Sequence, residues 1–320
     1  MRDPAGRVSR VSGLRWIQPP RLAPGARVAL IAPAGPVGEA RIRRALARLR
    51  RLGLEAVEGA AIRERAGYLA GGDLSRARDL AWALSAPDID AVWTLRGGYG
   101  SMRLWSRLDL ARFRSHPRPF IGFSDNTSLH LAAQVHRVVS FHGPHAGAER
   151  LTRMTTECLR RVLWRAQPAG MLPAARTGPS PAPLVGGRAD GRLAGGNLSL
   201  LAAAAGTPYA LTCRGRLLVL EEVDEPVYRV DRMLEQLAAS GALAGVRGLA
   251  VGRFTEIRTE TRGRSLAVVL EEFARSLGVP AVTGLPIGHV YDNWTLPLGA
   301  RARLDADAGT LEILEPAVRT

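Results

Sequence analysis

An α/β chain is predicted, with a parallel-sheet domain first and a mixed α/β domain after it. Three observations carry this: short apolar runs alternate with amphipathic stretches, the runs end in Gly- or Pro-rich turns, and a Pro-rich segment at 177–183 divides the chain. After an N-terminal extension (1–20), taken to be flexible, Ala26 to Ala32 is a buried-strand run ending in Pro33-Ala-Gly-Pro36. Val37 to Leu52 places apolar residues at helical spacing with arginines on the other face, which predicts a crossover helix. Leu54 to Val57 is the next strand, and Asp73 caps a helix running through Leu84. Ala91 to Leu95 is a third strand, ending in Arg96-Gly-Gly-Tyr-Gly100, and Phe120 to Phe123 is the fourth. This order predicts a parallel sheet covered by helices, with its ligand site at the carboxyl ends of the strands.

The domain so defined runs from 21 to 150. Residues 151–187 are expected to be a linker, which opens with an Arg-rich helix candidate. The second domain (188–320) has a small-residue helix opened by Gly195-Gly-Asn-Leu-Ser199 and a strand Arg216 to Leu220 ending in Glu221-Glu222. It continues with an amphipathic helix Arg229 to Ala239 and short strands at 249–252 and 280–284.

Composition removes several function classes. The net charge is +15, yet all 44 basic residues are arginine, because the chain contains no lysine. Arginines scattered from Arg41 to Arg319 without a basic-aromatic stripe or a binding motif do not form a phosphate-binding face, so no nucleic-acid partner is expected. The lack of lysine excludes a Schiff base, a pyridoxal phosphate anchor, a Walker lysine and a Ser–Lys dyad. No apolar run approaches the roughly 20 residues of a membrane span, and the N-terminus lacks a signal-peptide core. Cys158 and Cys213 stand far apart, which suits a reducing compartment. A cytoplasmic protein with no membrane contact is expected.

The strand 120–123 runs into Gly122-Phe-Ser124-Asp-Asn-Thr, a Gly-x-Ser turn that opens a helix. Such a turn lifts a serine out of the sheet and aims backbone N–H groups at an anion beside it. A plain helix cap is the competing reading of the same residues. A nucleophilic serine needs a base, and the base a carboxylate. Of six histidines, His130 and His136 fall on the helix after the turn, where packing is the simpler role, and His116 precedes the strand. His142 and His145 in Phe-His-Gly-Pro-His are spaced like a metal pair, but no H-E-x-x-H or neighbouring carboxylate completes a site, so no metal is expected. His289 lies in the Gly- and Pro-rich stretch 284–293, a backbone suited to fixing one side chain, and Glu221 and Glu222 offer carboxylates at a strand end.

These motifs together resemble the LD-carboxypeptidase family of serine peptidases. The resemblance rests on Leu22 to Pro36, Arg96-Gly-Gly-Tyr-Gly100, Gly122-Phe-Ser-Asp125, Phe141-His-Gly-Pro144, Gly195-Gly-Asn-Leu198, Leu220 to Leu234 and Gly288-His289, in the family's order. It implies a flavodoxin-like N-terminal domain and a swivelling, barrel-like C-terminal domain. It also implies a triad of Ser124 as nucleophile, Glu221 as orienting acid and His289 as base, with the N–H groups of Gly98 and Asp125 as oxyanion hole and no cofactor. The implied reaction releases terminal D-alanine from muropeptide tetrapeptides in peptidoglycan recycling, performed by a homodimer. Arg96, at a strand end beside the glycines, is the candidate for the substrate carboxylate, with a structural arginine as the alternative. A relative of the microcin C immunity peptidases, cleaving aminoacyl nucleotide conjugates, is the second reading, although 168–188 lacks the aromatic residues that would stack on a base. A non-catalytic binding module on the same scaffold is the third.

Overall fold

A computed structural model describes residues 14–258 and 264–320 of the chain. In chain order the first half contains β1 (Arg27–Ile31), α1 (Glu39–Arg51), β2 (Glu55–Glu58), α2 (Asp73–Ser85), β3 (Ala91–Thr94), α3 (Arg112–Ser115), β4 (Phe120–Gly122), α4 (Thr127–Val135) and β5 (Ser140–His142). There follow α5 (Arg153–Leu163), β6 (Pro168–Met171), β7 (Ala182–Val185), β8 (Arg188–Asn197), α6 (Leu198–Ala203), β9 (Arg216–Val223), α7 (Val227–Ala239) and β10 (Gly248–Thr255). The chain closes with α8 (Leu266–Leu277), β11 (Ala281–Thr283), β12 (Leu296–Leu298), β13 (Arg301–Asp305) and β14 (Thr310–Pro316).

Ile42, Ala45 and Leu49 form the buried stripe of α1, and its ends carry Glu39 first and Arg48, Arg50 and Arg51 last, in line with the helix dipole. The first sheet has the order β12-β5-β4-β3-β1-β2, and its first five strands in sequence are parallel. This is the flavodoxin-like arrangement, with the order reversing between β1 and β3. The second sheet has eight strands in the order β6-β14-β13-β8-β9-β10-β11-β7, parallel from β8 to β11 and antiparallel toward both edges.

Three expectations change in detail. The second domain is an open sheet rather than a barrel, since β6 and β7 are its opposite edges. The segment 151–187 carries α5 and supplies both of those edge strands, because its Pro-rich composition conceals short runs that pair only with distant partners. Part of the N-terminal extension is also bound in place: the guanidinium groups of Arg192 and Arg216 lie over the Trp16 ring at 5.6 and 5.5 Å from its centroid, and Ile17 pairs with Val138. Residues 1–13 lie outside the described part. Among the described residues, no helix is long and apolar enough to cross a membrane.

The two sheets are tied together by backbone. Strand β12 comes from the second half of the sequence yet pairs antiparallel with β5 of the first sheet, placing Leu296 opposite His142. The end of β8 meets the start of α4, where Thr127 Oγ1 accepts from the N–H of Asn197 at 3.0 Å. A Cβ on Gly196 would sit 2.6 Å from Thr127 Oγ1, and its φ of +142° is open to few other residues. Gly196→Ala is therefore expected to lower stability by about 2 kcal/mol or more in urea denaturation. A loss below about 0.5 kcal/mol, the range of neutral surface changes, would contradict this packing.

Candidate active site

The carboxyl ends of β3, β4 and β5 converge with the end of β9 and the loop between β11 and β12. Strand β4 delivers Phe123 and then Ser124, whose φ of +58° is left-handed and unusual for a residue with a side chain. The backbone turns at once into a short 3-10 turn and then α4, so Ser124 stands half-buried at a helix N-terminus while Phe123 and Asp125 are buried. The turn after β3 packs directly against it. A Cβ on Gly97 would lie 2.9 Å from Ser124 Oγ and 3.3 Å from the nitrogen of Asp125, so this position has no room for a side chain. The N–H groups of Gly98 and Asp125 donate to no turn or loop carbonyl among the described residues. Buried Arg76 braces the loop by donating to the carbonyls of Pro33 at 2.5 Å and Gly100 at 2.8 Å.

Glu221 lies within β9, wholly buried, and its Oε2 accepts from His289 Nδ1 at 2.9 Å. The carboxylate thereby assigns the tautomer, leaving His289 Nε2 free. Adjacent Glu222 points to the other face and is occupied by Asn197 Nδ2 at 2.9 Å and the N–H groups of Ser199 and Val223. Strand alternation thus divides the Glu-Glu pair into one residue that meets a histidine and one that holds the start of α6. Close approach is permitted by Gly288, with φ of +107°, where a Cβ would fall 2.7 Å from Glu221 Oε2.

The His289 loop is braced throughout. Thr155 Oγ1 of α5 accepts from Asn293 N at 2.9 Å and donates to the Tyr291 carbonyl at 3.0 Å, while Asp292 accepts from the N–H of Arg176 at 2.7 Å. The segment expected to be a linker therefore holds the loop of the candidate base. Phe123, the residue before Ser124, lies 4.8 Å from the His289 ring, 4.5 Å from His145 and 5.8 Å from His142, centroid to centroid. Among the described residues Ser124 Oγ makes no hydrogen bond.

The remaining histidines separate cleanly. His130 is buried in α4 with Nε2 on the Gly122 carbonyl at 2.8 Å and Nδ1 on Ser140 Oγ at 2.9 Å, and burial holds its pKa at about 3. His145 bonds Thr94 Oγ1 at 3.0 Å, and burial, followed by the charges of His289 and Arg41, keeps it well below its ordinary range. Among the described residues no group of three or more His, Cys, Asp or Glu is arranged for a metal ion. Arg96 donates to the Pro36 carbonyl at 3.1 Å, flanks Gly35 and Gly98, and has no carboxylate partner among the described residues.

Electrostatics favour an ion pair in waiting. Burial alone would raise Glu221, but interactions with His142 and His289 outweigh it and hold the carboxyl at about 2. For His289, burial lowers the pKa and the hydrogen bond and charge of Glu221 raise it, with a net upward shift.

Similarity to known proteins spans both halves of the chain. Models of the LD-carboxypeptidase N-terminal and C-terminal domains match residues 28–143 and 190–304. The chain belongs to the LD-carboxypeptidase family. A murein tetrapeptide carboxypeptidase of Pseudomonas aeruginosa is 37% identical over 288 residues, covering 88% of this chain and 94% of that protein. The crystal structure of muramoyltetrapeptide carboxypeptidase from Oxalobacter formigenes superposes with a TM-score of 0.80 at 33% identity, over 92% of this chain and all of that one. MccF in complex with glutamyl sulfamoyl guanosine shares the fold, with a TM-score of 0.84 at 23% identity over 94% of this chain and 99% of that one.

The two shifts have opposite consequences with pH. Glu221, depressed in the fold, contributes stability above its unfolded value of about 4.3 that is lost as pH falls toward about 2. His289, raised in the fold, contributes stability below about 6.5 that is lost as pH rises through its native value. An NMR titration of His289 is expected to give a midpoint above 6.5 that falls in Glu221→Gln. A wild-type midpoint at or below 6.5 would contradict the pairing.

Proposed function

We propose that this chain is a serine LD-carboxypeptidase that releases the terminal D-alanine of muropeptide tetrapeptides, a step of peptidoglycan recycling in the cytoplasm, and that it works as a homodimer without a cofactor. The observation that carries the reading is the 2.9 Å hydrogen bond between wholly buried Glu221 and His289, whose ring packs on the residue preceding Ser124.

Each residue has a definite part. Ser124 Oγ attacks the carbonyl carbon of the L,D-amide bond while His289 Nε2 takes its proton, and Glu221 stabilises the imidazolium through Nδ1–H. The carbonyl oxygen becomes an oxyanion, for which the N–H groups of Gly98 and Asp125 are suited as donors at a helix N-terminus. His289 then protonates the departing amine, leaving an ester on Ser124. A water molecule, deprotonated by the same Nε2, attacks the ester and restores the serine. Arg96 pairs with the terminal carboxylate of the substrate; its lack of an internal acidic partner and the positive surroundings it shares with Arg41 support this role.

Because the base must be neutral, kcat/KM is expected to rise with pH through the raised pKa of His289. Purified protein should release D-alanine from the murein tetrapeptide, and Ser124→Ala should lower the rate by a factor on the order of 10⁴ or more with folding intact. The same assay includes an aminoacyl sulfamoyl adenosine. Cleavage of that conjugate alone would replace the recycling role with the nucleotide-conjugate reading, and full activity in Ser124→Ala would remove the serine mechanism altogether.

A further inference from the structure

The second oxygen of the buried carboxylate is unaccounted for. Glu221 Oε2 holds His289, but Oε1 accepts no hydrogen bond among the described residues. A buried acceptor left without a donor is destabilising, the more so when it is charged. The group facing Oε1 is His142 Nε2, at 3.8 Å. His142 is itself wholly buried, and neither of its ring nitrogens has a hydrogen-bond partner among the described residues. Two buried, complementary, unpartnered atoms thus face each other across the back of the candidate triad.

Neither of its imidazole neighbours can take this place. His130 has both nitrogens engaged, by Ser140 and Gly122, and His145 is turned to Thr94. The position of His142 is set by backbone on both sides, since β5 pairs with Gly122 of β4 and with Leu296 of β12. Its ring is packed against Phe123 at 5.8 Å and His130 at 6.0 Å.

We propose that His142 is a positioning residue for the reaction, acting through Glu221: its Nε2–H points at Oε1, keeps the carboxylate in the orientation that serves His289, and moderates the basicity of that imidazole. This rests on the triad reading above. A carboxylate whose charge is drawn toward one oxygen is a weaker acceptor at the other. Without His142 the negative charge bears on His289 alone, and His289 holds its proton more tightly. The sign is the same if His142 carries a proton, because its loss then removes a neighbouring positive charge. The other groups around His289, the carboxylates of Glu221, Glu222 and Glu256 and the neighbouring His145, stay in place in either case.

Two variants and one wild-type measurement test this. In His142→Phe, which keeps the ring and removes the donor, the acid limb of kcat/KM should move up by about one pH unit, a tenfold loss below the limb, with KM within about twofold. His142→Gln keeps an N–H and should restore most of the limb's position. The same limb can be read without the natural substrate, from the pH dependence of Ser124 phosphonylation by a fluorophosphonate, in which Oγ displaces fluoride from phosphorus. In the unmodified protein, ¹⁵N NMR of the His142 ring should show a proton on Nε2. A folded His142→Phe protein whose limb stays in place overturns the proposal, as does a wild-type His142 with Nε2 bare, and the latter holds even if the Phe variant does not fold. Wild-type protein that is not labelled at Ser124 at any pH is a different result, which removes the triad and this proposal together.

Discussion

A carboxylate with no exposure to water is the constraint around which the rest is arranged. Glu221 is ionised in the protein interior, where an unpaired charge would cost several kcal/mol or would simply take up a proton. Its stability as an anion depends on the imidazole of His289 at 2.9 Å and on that of His142 at 3.8 Å. The dependence is mutual. Withholding the carboxylate would leave His289 without a fixed tautomer, and a histidine free to rotate is a poor base at a defined point in space.

The architecture explains how two groups 68 residues apart meet so closely. Glu221 belongs to the second sheet through β9. The loop of His289 leaves that sheet at β11 and enters the first sheet at β12, so it is pinned at both ends by different sheets. Ser124 follows β4, two strands from β12. Relative motion of the sheets would therefore move His289 with respect to Ser124. The bonds from α5 and from 173–177 to this loop, together with the Thr127–Asn197 contact, oppose such motion.

Much of this could be read in the sequence because local chemistry declares it. The strand–turn–helix around Ser124, the glycines at 97 and 98, and the crossover units up to Phe123 follow from periodicity and turn residues alone. Pairing Glu221 with His289 required the family's motif order, since Glu221 and Glu222 are equivalent by composition and only the alternation of β9 separates them. The edge strands β6 and β7 were hidden in a Pro-rich stretch, and β12 in a Gly- and Pro-rich one, because such strands are defined by distant partners rather than by their own pattern. His142 was legible as part of a histidine pair but not in its placement, since the carboxylate it faces is 79 positions away, from 142 to 221. Arg76, which ties the β1 and β3 loops together, gave no signal among so many arginines.

In the proposed reaction a serine held in a left-handed turn carries the acyl group while the Glu221–His289 pair moves the proton. Rapid-quench mass spectrometry of the protein mixed with murein tetrapeptide tests it most directly. The expected result is a transient adduct with the mass of the tetrapeptide acyl group after loss of D-alanine, mapped to the peptide containing Ser124 and absent in Ser124→Ala. Turnover in which no adduct accumulates at Ser124 even when its hydrolysis is slowed, or an adduct on another residue, would contradict it.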